Sequence, residues 1–130
     1  MTIGVIDAGV AIGWIQGRHR SFPKLDALFA ACRRGKVALV ISVVNLAEVL
    51  LHTRDLSRAT GVDPVSLLRA CRVQVHQPDE AVARRVAKLR ASLADGFAAA
   101  TAQELNARLH TTDMALVRQL ANARLTVTQY

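Results

Sequence analysis

Aromatic side chains are scarce in this chain: one Trp, one Tyr and three Phe make up 4% of the residues. That excludes an extended base-stacking platform for single-stranded nucleic acid, and it leaves the core to Ala, Val, Leu and Ile within a 52% hydrophobic composition. Only two cysteines occur, Cys32 and Cys71, and neither lies in a Cys-x-x-Cys or Cys-x-x-His context. Structural zinc and a disulfide framework are therefore not indicated, and both thiols are expected to be small core residues. No hydrophobic run is long: the uncharged stretches 8–17 and 37–47 fall well short of the roughly 18 residues that a spanning helix needs. The apolar start of the chain has no basic stretch before it and contains Asp7, so it does not read as a secretory leader, and a cytoplasmic location with no membrane partner is the expectation. Gly4, Gly9 and Gly13 lack G-x-G-x-x-G spacing, which disfavours a dinucleotide site. Negative charge is also in short supply, with ten Asp and Glu against seventeen Lys and Arg for a net +7; that balance attracts phosphates and acidic partners without saying which.

What is present is a repeated alternation of short apolar runs and helical patterns across residues 1–130, read as a single domain. Strands are expected at 2–6, 36–41, 72–76, 108–112 and 124–128. Helices are expected at 9–16, stopped by Gly17; from Ser21 and Pro23 to Gly35; and at 43–54 behind Ser42. Further helices should run from Asp63-Pro64 to Cys71, from Pro78-Asp79-Glu80 to Leu93, and over 95–107 and 113–122. The helix over 43–54 is apolar around almost its whole circumference, which predicts that it is largely buried. The βα order implies an α/β protein with a parallel sheet covered on both faces.

Six of the ten acidic residues have ordinary explanations. Asp63 and Asp79 are placed as N-caps, Asp26 and Glu80 fall in first helical turns, and Asp55 and Glu104 have polar neighbours. Asp7, Glu48, Asp95 and Asp113 remain. Glu48 stands inside Val43-Val44-Asn45-Leu46-Ala47-Glu48-Val49-Leu50-Leu51, where a lone buried carboxylate would cost several kcal/mol without a cationic partner; a buried pairing with an Arg is the plain alternative. Asp7 closes the first strand, where open parallel sheets place their ligand crevices. Asp95 and Asp113 each precede a helix and taken singly read as caps. Together, Asp7, Asp113 and Glu48 point to one sheet edge. Clustered carboxylates repel one another and raise each other's pKa, and a hard divalent cation, Mg²⁺ or Mn²⁺, relieves that repulsion. Such a site suits phosphodiester hydrolysis and needs no side-chain nucleophile. None of the four histidines shows ligand spacing; His19 and His110 are those placed to meet substrate.

The blocks Val5-Ile6-Asp7-Ala8, Ile41-Ser42 with Leu46-Ala47-Glu48-Val49-Leu50, Leu93-Ala94-Asp95 and Leu109-His110-Thr111-Thr112-Asp113 resemble, in this order, PIN-domain proteins of the VapC toxin type. The resemblance implies a three-layer α/β/α fold around a parallel sheet of four to five strands. It implies a Mg²⁺- or Mn²⁺-dependent endoribonuclease, with Asp7, Glu48, Asp95 and Asp113 as catalytic metal ligands and Thr111 and Asn45 in support. It further implies a growth- or translation-inhibiting toxin, a homodimer and a cognate antitoxin that covers the acidic pocket. Two positions depart from the pattern. Gly9 stands where members usually carry a hydroxyl residue, and Gly96 where they usually carry Ala, which would loosen that helix start by up to about 1 kcal/mol. Arg18, Arg20 and the basic helix with Arg84, Arg85, Lys88 and Arg90 are candidates for RNA phosphates. The rival readings are a degenerate PIN-like domain that binds RNA or an antitoxin without cutting, favoured by Gly9, and a phosphotransfer domain using Asp7, disfavoured because no Asp-x-Asp follows.

Overall fold

A computed structural model describes residues 2–130. In chain order the elements are β1 (Thr2–Ile6), α1 (Ala8–Gln16), α2 (Phe22–Arg33), β2 (Val37–Ser42), α3 (Val43–His52), α4 (Arg54–Thr60), α5 (Pro64–Ala70), β3 (Gln74–His76), α6 (Glu80–Lys88), α7 (Leu93–Glu104), β4 (Arg108–Thr111), α8 (Met114–Gln119) and β5 (Val127–Gln129). All five strands are parallel and lie in the order β3-β2-β1-β4-β5. Val5 of β1 pairs with Val40 on one side and Leu109 on the other, so the first strand is the middle of the sheet, buried on both faces as its continuous apolar run requires.

Strand alternation separates two cores. Ile6, Leu39 and Ile41 face a layer built from Leu25, Phe29, Leu46, Val49 and Leu68, which belong to α2, α3 and α5, with Val10 and Ala11 of α1. Val5, Val40 and Leu109 face the other way, onto Ala98, Ala99 and Ala102 of α7 and Leu116 of α8. The result is a three-layer α/β/α sandwich. The alanines let α7 approach the sheet closely, and the aromatic shortage is met by one stacked pair, Trp14 on Phe29 at 4.1 Å between centroids. Both cysteines are buried and free. Gly17 and Gly35 adopt φ of +73° and +74° just past α1 and α2, the left-handed stop that a residue with a Cβ resists.

Several expectations are corrected. The helix after Ser42 is not buried all round: Asn45, Leu46 and Val49 face inward, whereas Val43, Leu50 and Leu51 are exposed. It ends at His52, and Arg54–Thr60 forms a separate helix. That helix buries none of its residues, so it left no apolar periodicity to read. α6 stops at Lys88, and α7 begins at Leu93 behind Ser92, which puts Asp95 inside the first turn. Asp26 is not in a first turn either; its Oδ1 accepts the Trp14 indole N–H at 3.0 Å.

Candidate active site

Because β1 connects toward β2 and β3 while β4 and β5 lie on its other side, the sheet reverses its winding between β1 and β4. At such a switch point the connections leave in opposite directions and open a crevice at the carboxyl ends of the strands. Asp7 follows β1 and Thr111 ends β4, so both stand in that crevice.

Asp7 is almost inaccessible, 3% exposed. Its Oδ1 caps α1 by accepting the Val10 N–H at 2.9 Å, and its Oδ2 accepts the Thr111 hydroxyl hydrogen. Burial is the main cause that raises its pKa from 3.8 to about 6, and the negative charges of Asp95 and Asp113 push the same way against those two hydrogen bonds. Thr111 Oγ1 also accepts the Asp113 backbone N–H at 2.9 Å. Asp113 caps α8 through Oδ1, at 2.9 Å from Ala115 N and 3.2 Å from Leu116 N. Two helix N-termini and one threonine thus fix this side of the site, and a carboxylate is favoured at each helix start.

The opposite wall is helical. Asn45 of α3 is fully buried and its amide nitrogen donates to Glu48 Oε1 at 3.4 Å and to the Ala94 carbonyl at 3.0 Å. It therefore ties α3 to the start of α7, one residue before Asp95. Ser92, the N-cap residue of α7, makes no side-chain bond to the helix backbone; its Oγ donates to Asp95 Oδ2 at 2.9 Å. Asn45 Oδ1 and His76 Nδ1 are the buried side-chain polar atoms left without a partner among the described residues.

Other expectations are revised. Glu48 is half-buried rather than enclosed in apolar side chains, and no arginine pairs with it among the described residues; the carboxylate that carries the burial penalty is Asp7. His110 is buried, its Nδ1 lies 2.7 Å from the Tyr130 hydroxyl, and burial lowers its pKa from 6.5 to about 4. It is a buried side chain whose Nδ1 is engaged by Tyr130. His19 Nδ1 accepts the Ser21 N–H at 3.0 Å, shaping the turn into α2. Arg18 and Arg20 are exposed but follow the far end of α1, roughly 14 Å along the helix from Asp7, and stand off the pocket.

Among the described residues, no three His, Cys, Asp or Glu side chains form a close-packed metal cluster. The donors gathered at the crevice are hard oxygens, a buried Asp7 carboxylate with the charges of Asp95 and Asp113 acting on it, and the nearby Asn45 holds a buried amide oxygen without a partner. Such a set fits Mg²⁺ or Mn²⁺ held by one or two carboxylates and several retained waters, rather than an all-protein cage.

The PIN domain family model matches residues 4–120 of the chain. A comparison with curated protein sequences finds no match. Among solved structures, a chain of the Rickettsia felis VapBC2 complex with a promoter DNA fragment aligns at TM-score 0.74 and 14% identity, covering 99% of both chains. A chain of a Klebsiella pneumoniae toxin–antitoxin complex aligns at 0.70 and 18%, covering 98% of both. Mycobacterium tuberculosis VapC20, a sarcin-ricin loop cleaving toxin, aligns at 0.66 and 12%, covering 98% of this chain and 99% of that one. At these identities the likeness is one of fold.

Proposed function

The chain belongs to the PIN-domain family, and on that premise we propose that it is a Mg²⁺- or Mn²⁺-dependent endoribonuclease acting as the toxin of a toxin–antitoxin pair. The observation that carries the reading is Asp7: a carboxylate buried at the switch point, raised to about 6 and facing the charges of Asp95 and Asp113. A buried carboxylate in that setting is stabilised most by a cation.

A divalent ion bound here would supply an activated water and neutralise charge at the scissile phosphate. Asp7, ionised above about pH 6, is the anchoring ligand. Thr111 and the Val10 N–H each hold one of its two oxygens. Asp113 is aimed by the α8 N-terminus, Asp95 by Ser92 and Glu48 by Asn45. These four carboxylates would share the ion and its waters. RNA phosphates would be met outside the pocket, by the groove containing Arg84, Arg85, Lys88 and Arg90 and by Arg18 and Arg20. The Arg84–Glu80 pair there is largely solvated and exchanges readily for a phosphate, whereas the Arg85–Glu104 pair is more than half covered.

The antitoxin partner is supported by the toxin–antitoxin complexes among the structural neighbours. It is also supported by exposed Leu50, Leu51, Leu56 and Val62 around α3 and α4, an apolar surface of the kind that proteins cover. A homodimer and a cytoplasmic setting complete the reading. A second reading, a PIN domain that binds RNA or antitoxin without cutting, is favoured by the lack of a close-packed ligand trio among the described residues. Incubation with structured RNA in Mn²⁺ separates the two. Cleavage that falls at least 100-fold in Asp7→Asn supports the nuclease, since removing such charge stabilisation typically costs about that much; cleavage unchanged in that variant removes it, and Mn²⁺ binding with no turnover selects the second reading.

A further inference from the structure

Gly9 lies in the first turn of α1, two residues beyond Asp7. A Cβ built on it would lie 2.1 Å from Thr112 Oγ1 and 3.5 Å from both Thr112 Cβ and Asp7 Oδ1. The close atom is the hydroxyl of a β-branched side chain, which has few rotamers into which it can retreat. Position 9 is therefore glycine because the space that its side chain would fill is taken by a hydroxyl delivered from the end of β4.

That hydroxyl has a distinctive setting. Thr111, the adjacent residue, is fully buried and spends its hydroxyl on Asp7 Oδ2 and the Asp113 N–H. Asp7 Oδ1 is held by the Val10 N–H. Thr112 Oγ1 takes part in none of these bonds, and Thr112 is only partly buried. Thr111 is bonded to Asp7 Oδ2, while Thr112 Oγ1 and Asp7 Oδ1 both lie within 3.5 Å of the place that a Cβ at Gly9 would take.

We propose that Thr112 is a positioning residue of the cation site: its hydroxyl, standing in the place that a side chain at Gly9 would occupy, orients a water of the divalent ion's hydration shell against Asp7. A hydroxyl suits the task because it both donates and accepts. The inference rests on the cation-site reading above.

Calorimetric titration with Mn²⁺, paired with thermal melts of the metal-free protein, tests it. Thr112→Val keeps the shape and removes the oxygen; it is expected to weaken Mn²⁺ binding roughly 10-fold, as loss of outer-shell partners does, and to leave the metal-free melting temperature unchanged. Gly9→Ala, whose methyl evicts the hydroxyl, is expected to weaken binding as well. The double variant Gly9→Ser with Thr112→Ala returns a hydroxyl from α1 to the vacated space and is expected to recover most of the lost affinity. Thr112→Val that binds Mn²⁺ as tightly as wild type overturns the inference, and so does a lowered melting temperature with unchanged affinity, the signature of a packing role alone. Wild-type protein that binds no Mn²⁺ overturns the cation site itself and this inference with it.

Discussion

The two walls of the acidic crevice are held in opposite ways. On the strand side, Asp7 and Asp113 are each fixed by backbone N–H groups at a helix start, and Thr111 links them through hydrogen bonds at both ends. On the helix side, Glu48 and Asp95 are each held by one side chain, Asn45 and Ser92, and the first of these contacts is long at 3.4 Å. Backbone donors cannot rotate away, whereas a half-buried Glu retains rotamer freedom. The strand wall is thus preorganised, and the helix wall is free to adjust its reach to the proposed cation.

The largest expected effect breaks the strand wall electrostatically. Asp7→Asn removes a carboxylate that must ionise against burial, so metal-free protein at pH 7 should gain up to about 3 kcal/mol of stability, two pKa units at 1.4 kcal/mol each, while Mn²⁺ binding is lost. Urea melts compared with calorimetry check both halves, the gain being reduced by whichever of the Val10 and Thr111 bonds the single amide oxygen cannot accept; undiminished Mn²⁺ binding contradicts the assignment. The pH dependence sharpens the point. Asp7 is raised from 3.8 to about 6, so between those values the folded state holds more protons than the unfolded one, and stability falls as pH rises. His110 is lowered from 6.5 to about 4, so over nearly the same window the unfolded state holds more protons, and stability falls as pH drops. The two slopes oppose, which leaves wild type nearly flat from pH 4 to 6.5; Asp7→Asn should expose the His110 slope alone, with stability rising with pH by about 3 kcal/mol across the window.

Next in size is Thr111→Val, which leaves Asp7 Oδ2 and the Asp113 N–H without their partner. A cost of about 1–3 kcal/mol in stability is expected from denaturant midpoints, as for other buried groups stripped of a hydrogen bond. The smallest effect is on the helix wall. Asn45→Ala frees Glu48 and the Ala94 carbonyl and should weaken Mn²⁺ binding about 10-fold with less effect on the strand-side carboxylates; a stability loss in denaturant larger than that of Thr111→Val would reverse the proposed contrast between the walls.

The same contrast explains what was legible in the residues. β1, the run from Ser42 to Glu48 and the motif ending in Asp113 could be read because short apolar strands followed by a carboxylate constrain local geometry. The three-layer parallel fold followed from their order. Glu48 lies on the helix that its sequence context indicates, but burial is not what singles it out: the apolar run around it is split between a buried face and an exposed one, and periodicity alone cannot tell burial against the sheet from an apolar surface left open. His110 sits in the matching block Leu109–Asp113 but points to Tyr130 across the sheet edge, a contact between residues twenty apart. The two glycines were visible only as missing side chains. Their cause is a neighbour distant in the chain, Thr112 over Gly9 and Val86 at 3.0 Å from a Cβ at Gly96, where the close approach of α6 to α7 takes the place of an alanine methyl.

Anomalous diffraction from crystals grown with Mn²⁺ tests the central claim most directly. A single strong peak in direct ligation of Asp7, within the crevice bounded by Glu48, Asp95 and Asp113, is the predicted result. A crevice without a peak under saturating Mn²⁺, or a peak that contacts none of these carboxylates, would contradict it.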